Sequence, residues 1–146
     1  MRHFDHDYVD DVIVRLRGLK PDTKPAWGVL TPPRMIQHLA QTVRYSMGRL
    51  GDSPDVSNVF LRAIVRPLML NGIMPILKNL KAPDYPQINK ADDLESLQAV
   101  LEEYLGLVQL GEFNPKPHPA FGPIGIDGWA KMHLRHFEHH LRQFGV

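Results

Sequence analysis

Apolar residues recur every three to four positions through most of the chain, which is the spacing of amphipathic helices. The first such stripe includes Phe4, Tyr8, Val12 and Leu16. Start and stop signals bound the stripes, as in Thr31-Pro32-Pro33, where a hydroxyl residue and a proline favour a helix N-terminus. The predicted helices span about 4–18, about 32–50, from Asp92 or Asp93 to near Gly111, and about 127–144 with Asp127 as the cap.

Residues 55–90 connect the second of these helices to the third. Within them, 57–70 has the pattern of one amphipathic helix that Pro67 would kink or end. A short further turn of helix is expected over 72–80, and 81–86 has the composition of an extended loop. No stretch of the sequence shows the sustained alternation of a β-strand. The predicted fold class is therefore all-α, a four-helix bundle with a long crossover between helices two and three.

Composition narrows the class of protein without naming a function. The 146 residues are expected to form a single domain over 1–146. A formal net charge of +1 gives no field that would favour nucleic acid or an anionic membrane. The N-terminus lacks the apolar run of a secretory signal, so we expect a cytoplasmic protein. The chain has no cysteine, so a metal site would have to use His, Asp or Glu.

Half of the eight histidines lie within 133–140. On a helix, His133, His136 and His140 share an apolar stripe, while His139 lies to one side. Burying an unpaired imidazole costs about 1–3 kcal/mol, so these rings need partners. A divalent metal would satisfy several of them together, and a buried hydrogen-bonded network is the alternative.

The spacing of four between His136 and His140 puts both rings on one helix face, as helical zinc sites require. His133 and His136, three apart, compete as the pair. A third ligand should come from a facing helix, and His38 on the second helix is the candidate there, although a solvent-facing histidine would give the same pattern.

Other chemistry-bearing residues carry weaker signals. Tyr104 lies on a core stripe, but its hydroxyl could reach a polar pocket. His118 lies in a rigid, proline-rich loop. Glu138 falls on the helix face opposite His136 and His140, which makes it a poor general base. The segment Met69–Met74 offers ordinary packing, an adaptable wall for a ligand, or a homodimer contact.

The two histidine motifs resemble those of the DinB-like superfamily of four-helix bundles. The matching residues are His38 within Met-Ile-Gln-His-Leu-Ala, and His136-Phe-Glu-His-His140 followed by Leu-Arg-Gln. The resemblance implies that His38, His136 and His140 bind a divalent metal, zinc or nickel, at one end of the bundle. A narrower resemblance, carried by His118-Pro-Ala-Phe-Gly122 and Trp129, is to an uncharacterised branch of that superfamily, a domain of unknown function.

The resemblance also implies a type of chemistry. Members of the superfamily include thiol transferases that use bacillithiol or mycothiol, and a thiol-dependent isomerase. The metal is implied to activate the thiolate of a low-molecular-weight cosubstrate, since a bound cation lowers the pKa of a thiol. The same open site could instead activate water for hydrolysis. In this arrangement His133 would orient a ligand or replace one, and His118 would close the mouth of the site.

Two classes of function therefore remain open from the sequence. The first is a metal-dependent transferase or hydrolase acting on a small-molecule substrate. The second is a non-catalytic helical interaction protein, in which the histidines form a buried network and the apolar crossover, 55–80, carries the partner surface. Nucleic-acid binding is disfavoured because the chain lacks a basic stripe.

Overall fold

The computed structural model describes residues 2–79 and 91–146. Over these residues the chain is all-helical, and its β-pairing is limited to an isolated bridge between His118 and Gly122. A π-helical segment, Leu61–Val65, leads directly into α3. The α-helices are α1 (His6–Arg17), α2 (Pro32–Ser46), α3 (Arg66–Leu70), α4 (Leu94–Leu110) and α5 (Gly125–Gln143).

Side-chain caps explain where several helices begin. The Asp5 carboxylate accepts a hydrogen bond from the Tyr8 amide (3.0 Å), and Thr31 caps α2 through the Arg34 amide. At the start of α4, Asp93 and Ser96 form a reciprocal capping box. Each of these bonds satisfies an amide that the first turn of a helix leaves without a partner.

The core lies between α1, α2, α4 and α5, whose apolar faces are buried against one another. Helix α2 contacts both α4 and α5, and α1 contacts α4. The fully buried apolar side chains include Val12, Met35, Leu39, Val43, Leu97, Leu101, Phe137 and Leu141. Each large apolar side chain contributes about 1.5–3 kcal/mol by leaving water. This packing fixes α2 beside α5, which are the two helices that carry the candidate ligands.

Two helix bounds differ from the sequence prediction. Helix α2 ends at Ser46 rather than near residue 50, because Gly48 adopts a left-handed conformation (φ 73°) that turns the chain away. Leu50 is nevertheless buried in a small cluster with Tyr45 and Trp129, so the apolar pattern continues past the helix. Helix α5 begins at Gly125, which places Asp127 inside the first turn rather than at the cap.

The crossover also differs in detail. The predicted single helix over 57–70 contains the π-helical segment, and Pro67 lies at the start of α3, where the missing amide hydrogen is tolerated. The turn of helix expected over 72–80 is absent from 72–79, which forms turns, bends and irregular chain. Residue 80 and the loop expected over 81–86 lie outside the described residues. None of the helices seen in 2–79 and 91–146 is both long enough and apolar enough to cross a membrane.

Candidate metal centre

Three histidines from two helices meet beside the core. The Nε2 atom of His38, on α2, lies 2.8 Å from Nε2 of His136, on α5. Nε2 of His140, one turn further along α5, lies 3.1 Å from the same atom of His136. Within the part of the chain that the structure describes, these three residues are the one group of His, Cys, Asp or Glu side chains whose ligand atoms all lie within 4.8 Å of one another. The structure therefore brings together the three residues that the sequence put forward as ligands.

Two of the three nitrogen–nitrogen distances are close to those expected around a single ion. An ion with metal–nitrogen bonds of about 2.0–2.1 Å holds two ligand nitrogens roughly 2.9–3.4 Å apart, for angles between octahedral and tetrahedral values. The distance between His136 and His140, 3.1 Å, lies within that range, and the distance between His38 and His136, 2.8 Å, lies just below it. All three donors are imidazole nitrogens, a donor set that suits zinc, nickel or copper rather than magnesium or calcium.

Apolar neighbours hold the ligands in place. Leu39, next to His38, is fully buried. Phe137, which follows His136, and Leu141, which follows His140, are also fully buried. Each histidine is thus adjacent in sequence to a residue that anchors its helix in the core. The rings themselves lie at the edge of that core and are partly buried.

The environment keeps the three rings neutral at physiological pH. Burial lowers the pKa of His38 to about 4, and the neighbouring rings of His140 and His139 add to the effect. Burial also lowers the pKa of His140 to about 4, against the opposing influence of a hydrogen bond to Gln143. For His136, burial and the adjacent histidines lower the pKa well below its usual value. A neutral imidazole is the form that binds a metal, since it keeps a lone pair on one nitrogen.

Gln143 fixes which nitrogen of His140 carries the proton. Its side-chain Nε2 donates to the carbonyl oxygen of Trp27 (2.9 Å), which sets the orientation of the amide. The amide oxygen then faces Nδ1 of His140 at 2.8 Å and can only accept. Nδ1 of His140 is therefore the N–H donor, and Nε2 of the neutral ring keeps its lone pair toward His38 and His136. Metal-binding histidines are commonly oriented through their second nitrogen in this way.

The contact between Gln143 and the chain segment before α2 is close. The Ala26 amide donates to the main-chain carbonyl of Gln143 (2.7 Å). Gly28 has a φ of 75°, and a Cβ atom there would lie 3.2 Å from the side-chain nitrogen of Gln143. The left-handed backbone favours glycine here, and any larger residue would press its Cβ atom against the Gln143 amide. The sequence prediction missed Gln143, although its position three residues after His140 puts it on the same helix face.

His133 lies fully buried on α5 but faces a different partner. Its Nε2 lies 3.0 Å from the hydroxyl oxygen of Ser46. That hydroxyl donates its one hydrogen to the Val43 carbonyl (2.7 Å), so it accepts from His133, and Nε2 of His133 carries the proton. The ring also stacks on Trp129, with centroids 5.1 Å apart. His133 is not among the three residues whose ligand atoms converge.

His118 and Tyr104 lie on the side of α5 that carries Trp129 and His133. His118 stacks on Phe121 with centroids 4.6 Å apart, and its Nδ1 accepts from the Ala120 and Phe121 amides. Its other ring contact in the described chain is with Trp129, at 5.3 Å. Tyr104 is fully buried and makes an edge contact with His133, and its hydroxyl has no partner among the described residues.

Glu138 and His139, which lie in the sequence between His136 and His140, face other partners. Glu138 accepts hydrogen bonds from the Tyr8 hydroxyl (3.0 Å) and from Arg15 (2.8 Å), which ties α5 to α1. The guanidinium of Arg15 and the Tyr8 hydroxyl hold the pKa of the Glu138 carboxyl below its usual value, against the effect of burial. The ring of His139 lies 5.1 Å from that of His140 and 5.4 Å from that of Trp27, at the rim of the centre.

Comparison with known proteins gives a family. The model of a family described as a protein of unknown function, DUF1569, matches residues 2–145. The chain belongs to this family. No curated protein and no solved structure matches the DUF1569 chain described here. The family description assigns no activity, so the function of this DUF1569 protein has to be argued from the geometry of the three histidines.

Proposed function

We propose that the chain is a metal-dependent enzyme of the DinB-like type. His38, His136 and His140 bind one divalent ion, zinc or nickel. The helices α1, α2, α4 and α5 form the four-helix bundle of that superfamily, with 55–90 as the crossover. The open coordination positions face a small-molecule substrate.

The observation that carries the proposal is that the three facing nitrogens have too few hydrogens to pair with one another. Gln143 leaves Nε2 of His140 without a hydrogen. The single ring proton that Nε2 of His136 can carry would then have to serve both His140, at 3.1 Å, and His38, at 2.8 Å. If that proton is on His38 instead, two lone pairs face each other between His136 and His140. One cation removes this conflict, because it accepts all three lone pairs.

A metal held by three histidines keeps open positions at which it lowers the pKa of a bound thiol or water. The chain itself supplies neutral rings, a fixed proton on Nδ1 of His140, and apolar neighbours that limit access of water. Since the chain has no cysteine, a thiol nucleophile would have to come from a small molecule. The resulting reaction is thiol transfer or hydrolysis.

A second function is favoured by one specific distance. The 2.8 Å separation between the Nε2 atoms of His38 and His136 is itself that of a hydrogen bond. In a non-catalytic interaction protein the three rings would form a buried network. Nδ1 of His136 is buried without a partner among the described residues, and this holds whether the ring binds a metal through Nε2 or joins the network, so that atom does not distinguish the two functions.

Elemental analysis of the purified protein distinguishes the two functions. We expect about one equivalent of zinc or nickel per chain, and loss of that metal in the double variant His136→Ala/His140→Ala. His139→Ala is the matched control, since it removes the histidine between them and should leave the metal content unchanged. Metal-free protein whose melting temperature does not respond to added zinc or nickel would instead support the buried network.

A further inference from the structure

The ring of Trp27 lies beside the candidate metal centre and is held there in two ways. Its carbonyl oxygen accepts from Gln143, which in turn bonds to His140. Its indole ring makes an edge contact with His139, with centroids 5.4 Å apart. His139 in turn contacts the ring of His140 at 5.1 Å. The position of Trp27 is thus coupled to a candidate ligand through both its main chain and its side chain.

A lysine lies over the ring of Trp27. Nζ of Lys78 lies 4.5 Å from the centroid of the Trp27 ring, which is the distance of a cation–π contact. Among the described residues, no carboxylate lies within ion-pair distance of Lys78. The ammonium group is therefore held at the rim of the centre by an aromatic ring, with its charge left uncompensated by the chain that the structure describes.

Two arginines on α5 strengthen the positive charge on this side. Lys78 and Arg142 both lie close enough to the His139 ring to act on it electrostatically. Arg135, one turn before His139, donates to the neutral carbonyl of Met74 (2.7 Å), and its Nε is buried without a partner in the described chain. The nearest acidic residue along α5, Glu138, is engaged with Arg15 and Tyr8 on another face.

We propose that Trp27, Lys78 and His139 form a subsite that binds the carboxylate of a small organic anion, whose apolar part contacts the indole ring. This rests on the proposed function, since the subsite would hold the substrate of the neighbouring metal centre. The ammonium of Lys78 pairs with the carboxylate, and the arginines add longer-range attraction. Trp27 contacts both Lys78 and His139, and His139 contacts the candidate ligand His140. The substrate class is therefore a carboxylic acid with an aromatic or aliphatic body.

Fluorescence of the metal-free chain tests the charge of the subsite without any metal. Trp129 is 1% exposed, so quenching by dissolved ions reports chiefly on Trp27, and the variant Trp27→Phe confirms this assignment. At low ionic strength we expect iodide to quench more strongly than caesium, because positive charge concentrates anions near the ring. The difference between quenching by iodide and quenching by caesium should shrink in Lys78→Met. It should persist in Lys131→Met, which removes an exposed lysine of α5 that pairs with Asp127.

Benzoate is the probe for carboxylate binding in the metal-loaded chain. We expect the dissociation constant of benzoate, measured by spectral titration of the cobalt-substituted protein, to rise about threefold to fivefold in Lys78→Met. It should stay unchanged in Lys131→Met, and all variants should bind equal metal by elemental analysis. Equal quenching by iodide and caesium, or equal benzoate affinity in Lys78→Met and the parent chain, would overturn the subsite.

These two measurements separate the subsite from the proposed function. A chain that takes up no metal but shows the iodide preference and its loss in Lys78→Met refutes the metal-dependent enzyme and supports an anion site at Trp27. If the chain binds one metal ion but the parent chain and Lys78→Met bind benzoate equally well, the metal centre is supported and the subsite is refuted.

Discussion

Replacing Gln143 with leucine should weaken metal binding although Gln143 is not itself a ligand. The change replaces the amide with a slightly shorter apolar side chain and removes two hydrogen bonds, one from Nδ1 of His140 (2.8 Å) and one to the Trp27 carbonyl (2.9 Å). Gln143 is 5% exposed, so water cannot readily replace the lost partner. The proton of His140 is then free to move to Nε2, the nitrogen that the metal needs.

The expected loss follows from the role of such partners in other metal sites. Removing the group that orients a ligating histidine lowers metal affinity about tenfold to a hundredfold, which corresponds to about 1.4–2.7 kcal/mol. The unpaired Trp27 carbonyl adds a separate cost in folding stability of about 1–3 kcal/mol. Competition with a chromophoric chelator, at a pH near 7.5 where all three rings are neutral, measures the zinc dissociation constant directly.

Two variants separate the effect on His140 from a general effect on stability. In Gln143→Glu, a carboxylate still accepts from Nδ1 of His140 but cannot donate to Trp27, so stability should fall while zinc affinity is retained. Gln98→Leu makes the same change on α4, where Gln98 donates to the exposed Glu102 of the same helix, and should alter neither quantity appreciably. If the zinc affinity of Gln143→Leu is within a factor of two of that of the parent chain, Gln143 does not orient His140 for metal binding.

Three further predictions concern folding. Burial lowers the pKa of His133 to about 3, so below pH ~6.5 the unfolded chain takes up a proton that the folded chain does not, and the free energy of unfolding should fall as the pH drops. Urea unfolding between pH 7 and pH 4.5 measures this, and a slope as steep in His133→Phe would contradict it. Phe137→Ala should cost about 3–5 kcal/mol by leaving a cavity in the core, whereas Val29→Ala, at a side chain that is 98% exposed, should cost little by the same assay. Asp93→Ala removes the cap of α4 and should cost about 1 kcal/mol in urea unfolding, and a neutral result would show that the capping box is dispensable.

The ligand group could be predicted from the sequence because helix geometry is local. A spacing of four puts His136 and His140 on one face wherever the helix lies, and the apolar stripes of α2 and α5 indicate that His38 can lie opposite. Gln143 could not be predicted in the same way. Its role depends on a carbonyl 116 residues away, at Trp27, which determines the direction of its amide. The sequence around Gln143 contains no pattern that predicts this contact.

The crossover was predicted less well for a different physical reason. Val59 is 83% exposed and Phe60 is 63% exposed, so the apolar residues that predicted an amphipathic helix do not mark a buried face. A π-helical segment also has a different period from the one used to find helices. The end of α2 was predicted too far along the chain for the opposite reason. Leu50 is buried, as a helix face would be, although it lies outside the helix. In both places the rule that equates apolar periodicity with a buried helix face fails.

Two histidines on α5 show that a possible ligand is distinguished from a structural residue by which of its ring nitrogens carries the hydrogen. His133 and His140 lie on one helix, and both have a pKa lowered chiefly by burial. Ser46 can only accept from Nε2 of His133, so that nitrogen carries the hydrogen and has no lone pair for a metal. Gln143 accepts from Nδ1 of His140, so there Nε2 keeps its lone pair. The hydrogen-bond partner of each ring therefore leaves His140 free to bind a metal through Nε2 and makes His133 a structural residue, although His133 was a competing ligand in the sequence pattern.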